Sequence, residues 1–184
     1  LSIRSVRIEG GTATWHDPST DRTLALEAID ADIDVSAGGG LSIAGAMTVG
    51  GTPLRVDTAI QPPSRLGAVA YTVSLDLAGM ASASLAGIAQ PDGQVQGDLS
   101  ISSADLAGTL ATLGLEPGGL GAPDPAAPLR AFSLRGTLRA TGDRIEIAQI
   151  GADLGATRLS GLVGVSLGDT TTVDAYLTPH ILAY

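Results

Sequence analysis

Two imidazoles, His16 and His180, stand near opposite ends of a chain of 184 residues, and they bound the general-base chemistry it can hold. Ser and Asp are plentiful, so a Ser–His–Asp arrangement needs only a fold that brings them together. His16-Asp17 beside Trp15 reads more simply as a strand end entering the Asp17-Pro18-Ser19 turn. Signatures of other chemistry are missing: there is no G-x-S-x-G elbow, no G-x-x-x-x-G-K-[ST] loop, no H-E-x-x-H and no G-x-G-x-x-G between a strand and a helix. Gly38-Gly39-Gly40 and Gly118-Gly119 read as flexible turns, because no helix start follows either to cradle a phosphate.

Asp30, Asp32 and Asp34 have the spacing that opens a calcium loop. That loop then needs Gly at its sixth position and Glu at its twelfth, where this chain has Val35 and Leu41. Alternation with Ile29, Ala31, Ile33 and Val35 instead puts the three carboxylates on the solvent face of a strand, so no metal site is expected. Arg130, Arg135, Arg139 and Arg144 form the densest basic cluster and are expected as scattered solvated charge, with Arg135 and Arg139 on opposite faces.

The elements that must position these residues are strands. Alternation runs through Leu41, Ile43, Gly45, Met47 and Val49, then Leu54, Val56, Thr58 and Ile60, then Val69, Tyr71, Val73, Leu75 and Leu77. It returns at Val95 to Ile101, at Phe132 to Leu138, and at Thr157, Leu159, Gly161, Val163, Val165 and Leu167. Gly50-Gly51, Asp92-Gly93, Gly142-Asp143 and Gly168-Asp169 sit between such runs as hairpin turns, and Gly10-Gly11 is expected to act likewise. Short connections imply an antiparallel meander, whose apolar faces could be hidden by closing into a barrel, by pairing two sheets or by curling round a lipid chain. One segment departs from period two: Leu106, Leu110 and Leu113 recur at helical spacing, with Ser103 as N-cap and Gly114 beyond the end, so a short helix is expected near 103–113. A Pro/Gly-rich loop over 115–128 follows, inside a single domain of 1–184.

Composition narrows the function classes. Net charge is -9 and all 10 basic residues are Arg, which removes a P-loop lysine, a Schiff base and a polybasic footprint for nucleic acid. Absence of Cys removes disulfides, thiolate zinc sites and thiol catalysis. Aromatics make up 3%, and Trp15 is the one Trp, which disfavours sugar-stacking platforms. No fixed repeat of 20–50 residues marks a solenoid. No run of about 18 apolar residues could cross a bilayer as a helix. Position 1 is Leu and no signal peptide precedes it, so an excised part of a longer chain is expected.

Leu1–Asp17 (LSIRSVRIEGGTATWHD) resembles the strand, Gly-containing turn and strand ending in Asp of AsmA-like proteins. The resemblance continues through Thr23–Val35 (TLALEAIDADIDV), Leu41–Leu54 (LSIAGAMTVGGTPL) and Gly97–Leu110 (GDLSISSADLAGTL), where that family places a short helix. It ends at Ile147–Gly161 (IAQIGADLGATRLSG), and it covers almost the whole chain. AsmA-like and TamB-related proteins are bacterial envelope proteins with an inner-membrane anchor and a long periplasmic β-rich body. The resemblance implies a taco-like β-groove with an apolar interior, no catalytic residues and no cofactor. It further implies contact with phospholipid acyl chains moving between inner and outer membranes, in support of outer-membrane biogenesis. Implied partners are phospholipid, neighbouring segments of the same parent chain and an outer-membrane assembly partner. Residues on the apolar parity are then the groove-lining candidates: Val73, Leu75, Leu77, Leu134, Leu138, Leu159, Val163, Val165 and Leu167. Gly45, Gly97, Gly136 and Gly161 share that parity and would permit bending, close approach of a ligand or tight sheet packing. A structural or adhesive surface β-domain, or a small glycan-binding or hydrolytic β-sandwich, are the alternatives this composition leaves.

Overall fold

Period-two alternation is realised as one sheet. The computed structural model describes residues 4–17, 22–114, 131–155, 157–167 and 171–181. Its strands are β1 (Ser5–Asp17), β2 (Arg22–Val35), β3 (Leu41–Val49), β4 (Thr52–Ile60), β5 (Val69–Leu77), β6 (Ala81–Ala89), β7 (Val95–Ser103), β8 (Phe132–Ala140), β9 (Arg144–Leu154), β10 (Thr157–Ser166) and β11 (Thr172–Ile181). Among the described residues a single short helix, α1 (Leu106–Thr112), stands between β7 and β8. Each strand pairs antiparallel with the next in chain order, and the sheet ends at β1 and β11 without closing into a barrel.

Hairpin turns hold that order. Gly50 and Gly51 both have positive φ, as do Ala78 and Gly79, the combination a two-residue turn needs to match strand twist. Gly93 serves the β6–β7 turn with φ of 86°, while Asp92 accepts from the Gln94 backbone N–H at 3.0 Å. Gly38–Gly40 lies in the β2–β3 turn, where the Gly40 N–H donates to Ser36 Oγ at 2.9 Å. The Gly168-Asp169 turn and the 115–128 loop lie outside the described residues.

Gly10-Gly11 is not a turn. β1 runs straight through it, with Ser5–Ile8 and Gly11–Asp17 both paired to β2 across two register shifts. The pair forms a bulge instead, and Asp30 accepts from the Gly10 N–H at 2.8 Å. The unit over Leu1–Asp17 expected as two strands is therefore, in its described part, one strand, because β2 is long enough to pair both halves. Comparable irregularities recur inside β2 at Ala28 (φ 49°) and inside β9 at Gln149 (φ 53°), each with a register shift. Bulges bend strands and raise local twist, so β1, β2 and β9 bend at these positions. Gly161, inside β10, has φ of 153°, and a Cβ there would collide with the Tyr176 carbonyl of β11. On the apolar face, glycine is thus required by the neighbouring strand itself.

The N-cap of α1 is Asp105 rather than Ser103. Asp105 is extended (φ -140°) and its carboxylate accepts from the Gly108 N–H at 3.0 Å. Ser103 still belongs to the β ladder, opposite Ala81 and Phe132. Its buried hydroxyl lies 3.0 Å from Thr109 Oγ1, which donates to the Asp105 carbonyl at 2.8 Å. α1 runs from the end of β7 to the β3–β4 turn, where a Cβ on Gly50 would lie 2.5 Å from the Thr112 carbonyl oxygen. The buried apolar side chains cluster at this end of the strands: Val49 closes β3, Leu77 closes β5, and Ile150 and Ala152 lie late in β9.

Little else is buried. The chain exposes 12127 Å², against about 8,100 Å² for a compact monomer of its mass. A one-layer sheet explains this: among the described residues α1 is the one element outside it.

Tyr71 occupies the apolar face in register with Gly87 and, across it, Gly97. A Cβ on Gly97 would sit 2.9 Å from the Tyr71 hydroxyl, so the side chain lies over the glycine and covers it. That hydroxyl oxygen is buried with no hydrogen-bond partner among the described residues, and burial raises its pKa. An unsatisfied buried hydroxyl costs free energy, so Tyr71→Phe should stabilise the chain by up to about 1 kcal/mol, or roughly 2–4 °C in a thermal melt. A melt lowered by the same amount would show that the hydroxyl is bonded.

Candidate functional site

Strand register brings the apolar positions together on one face. Leu75 of β5 aligns with Ala83, Ile101, Leu134, Ala152 and Leu159 in a row crossing six strands. Val73 aligns with Leu85 and Leu99, and Leu138 with Ile147 and Val163. Val165 faces Ile145 and then Ala140, and Leu77 faces Ala81 and Ser103. Eight of the nine groove-lining candidates therefore share a face. The ninth, Leu167, lies just past β10, 46% exposed, with its backbone N–H on the Asp143 carbonyl at 2.6 Å.

Exposure grades along this face. Leu77 is 4% exposed beside α1, whereas Leu75 two residues away is already 37% exposed. Ile145 and Val173 remain exposed, and Val163, Leu134 and Leu159 are half-buried. The face is thus sealed near α1 and open elsewhere. Sequence reading missed Ile150 and Ala152, because the Gln149 bulge moves the apolar parity of β9 from odd to even positions. It missed Tyr71 as a cover for glycine, a role that only the cross-strand register reveals.

The opposite face is polar and some of its charges pair. Arg7 Nε donates to Asp32 at 2.6 Å, and Arg158 Nε to Asp153 at 2.8 Å. The Arg158 hydrogen bond holds the Asp153 carboxyl below its ordinary pKa. Arg135 and Arg139 lie on the same face, contrary to the expectation, since residues four apart in a regular strand share parity; their partners across β7 are Ser100 and Gln96. Arg144 donates to Ser166 at 3.4 Å, and Arg130 lies outside the described residues. Shallow clefts indent this face, one of about 690 Å³ touching Arg7, Asp30 and Asp32.

The two histidines are far apart in the sheet order. His180 Nε2 lies 3.0 Å from Ser160 Oγ on the exposed surface of β10 and β11, and the residue opposite His180 is Arg158. His16 Nδ1 lies 3.2 Å from Thr23 Oγ1 across β1 and β2. A nucleophile–base pair also needs a group orienting the base and an oxyanion site; Arg158 is itself held by Asp153.

Asp30 is committed to the Gly10 N–H and Asp32 to Arg7, and the described residues hold no cluster of three or more potential metal ligands. Millimolar Ca²⁺ should accordingly leave the melting temperature unchanged. A rise of more than about 4 °C would reveal a site of real affinity.

Among the described residues no helix is long and apolar enough to cross a membrane, which leaves strand-built membrane proteins untouched. Compared with known proteins, the chain matches no family model, no curated sequence and no solved structure.

Proposed function

We propose that the chain is a non-enzymatic segment of an AsmA-like, TamB-related envelope protein, and that its apolar face contacts or conducts phospholipid acyl chains. In this reading it lies in the periplasm as part of a protein anchored in the inner membrane. Neighbouring segments of the parent chain lengthen the face, and an outer-membrane assembly partner receives its cargo. The observation that carries the reading is the continuous apolar face: rows of Leu, Ile and Val cross the sheet, yet most of their side chains stay partly open to water. Apolar surface left exposed in this quantity calls for an occupant, and hydrocarbon gains about 0.8 kcal/mol per CH₂ buried against it.

Adjacent residues on β8 provide the test, because Leu134 and Ser133 point to opposite faces. A photo-crosslinking amino acid at position 134 should capture phospholipid in cells, and the same group at 133 should not. Equal capture from both, or none from 134, would contradict the reading.

A further inference from the structure

The two ends of the strands are finished differently. At one end α1 passes the β5–β6 turn, where a Cβ on Gly108 would lie 3.5 Å from Met80 Cε, and reaches the β3–β4 turn. The other end has no helix over it among the described residues. There Val69, Ala89, Val95, Ala140, Ile145 and Val165 stand in one register row, each at the terminal or next-to-terminal position of its strand. Ile145 is 36% exposed, and Val173, which extends the row onto β11, is 65% exposed. The apolar face thus runs out to the strand ends on this side.

β7 and β8 meet at this rim with a hairpin tip on either side, the β6–β7 turn over 90–94 and the β8–β9 turn over 141–143. Between the tips lies a cleft of about 470 Å³, lined by Gln90 and Thr141 of the two turns and by Val95, Gln96, Arg139 and Ala140 of the strand ends. Gln96 and Arg139 have the polar parity, Val95 and Ala140 the apolar one, so the cleft is lined from both faces of the sheet. Its charges are one pair of opposite sign held apart. Arg139 lies opposite Gln96, and Asp98, which also lines the cleft, lies opposite Thr137, so the two are diagonal neighbours about 7–8 Å apart. Neither side chain has a hydrogen bond or ion pair among the described residues. Glu146, opposite Arg139 on β9, has its carboxylate 3.7 Å from Arg144 Nη2 instead.

We infer that this cleft seats the head group of a zwitterionic phospholipid, its phosphate on Arg139 and its ammonium on Asp98, while the acyl chains pass over Val95 and Ala140 onto the apolar face. A guanidinium presents a fork of donors that phosphate oxygens match. An anionic head group would leave Asp98 uncompensated and would meet a chain of net charge -9, whereas a zwitterion satisfies both charges. The inference rests on the lipid reading of the apolar face, and it adds where a lipid enters and which head group it carries.

Vesicles holding phosphatidylcholine and phosphatidylglycerol in equal amounts are the probe, and mass spectrometry counts each lipid on the repurified chain. The unmodified chain should take up phosphatidylcholine in several-fold excess. Arg139→Gln should lower uptake of both lipids about tenfold. Arg135→Gln, the same charge change on the same strand and face but outside the cleft, should leave uptake as it was. Asp98→Asn should bring the two lipids close to parity. All three side chains are exposed, and circular dichroism confirms that each variant is folded. Uptake without preference, a preference that survives Asp98→Asn, or equal losses from Arg139→Gln and Arg135→Gln would overturn the head-group site and leave the lipid reading standing. No uptake by the folded, unmodified chain would overturn both.

Discussion

Val49→Glu is expected to abolish folding. Val49 is 1% exposed at the end of β3, and it belongs to the sealed end of the apolar face. An ionised carboxylate there must be desolvated or protonated, a penalty of several kcal/mol. That is comparable to the whole stability of a domain, about 5–15 kcal/mol. Val49→Ala removes packing alone and should cost about 1–3 kcal/mol, lowering the melt without abolishing it. Chemical denaturation of both variants checks the contrast. A Val49→Glu chain with near-parental stability would mean that the α1 end is open to water.

The same substitution at Val163 should behave oppositely. Val163 lies in mid-strand on β10, in register with Ile147 and Leu138, but it is only half-buried and reaches solvent. A glutamate can turn its carboxylate to water, so Val163→Glu should fold and lose no more than about 1–2 kcal/mol. If acyl chains lie along this face, however, the charge now meets hydrocarbon. Bound phospholipid should fall by roughly tenfold or more, which needs a difference of only about 1.4 kcal/mol. Mass spectrometry of co-purified lipid, read beside a thermal melt, separates the cases. An unfolded variant would show a dry packed core, and a folded variant with its full lipid complement would remove the face from any lipid path.

The meander was legible because β3, β4, β5, β7, β8 and β10 alternate large aliphatics with Ser, Thr, Asp or Arg. β6 was missed by the same reading: Ala81–Ala89 sets Ala, Gly and a single large aliphatic, Leu85, on the apolar face, with Ser82, Ser84, Ala86 and the 47% exposed Ile88 on the other. With so little contrast in size, period two is weak there, and register with β5 and β7 decides it. β11 was hidden by Pro179 and by the exposure of both its faces at the sheet edge. The Gly10-Gly11 bulge and the shift of the N-cap from Ser103 to Asp105 share a cause. In both, pairing to a distant strand overrode a local turn or cap preference. The apolar candidates could be named from parity, yet the row joining Leu75, Leu134 and Leu159 needs five strand registers, four of them hairpins, to be correct at once.

Phospholipid analysis of the purified, unmodified chain tests the lipid reading most directly. The chain is purified from a bacterial envelope fraction in mild detergent, exchanged into detergent-free buffer and extracted into organic solvent for quantitative mass spectrometry. The apolar face predicts phospholipid near one or more molecules per folded chain, lost in parallel with unfolding. A folded chain that carries no lipid, and that takes none up from phospholipid vesicles, would contradict it.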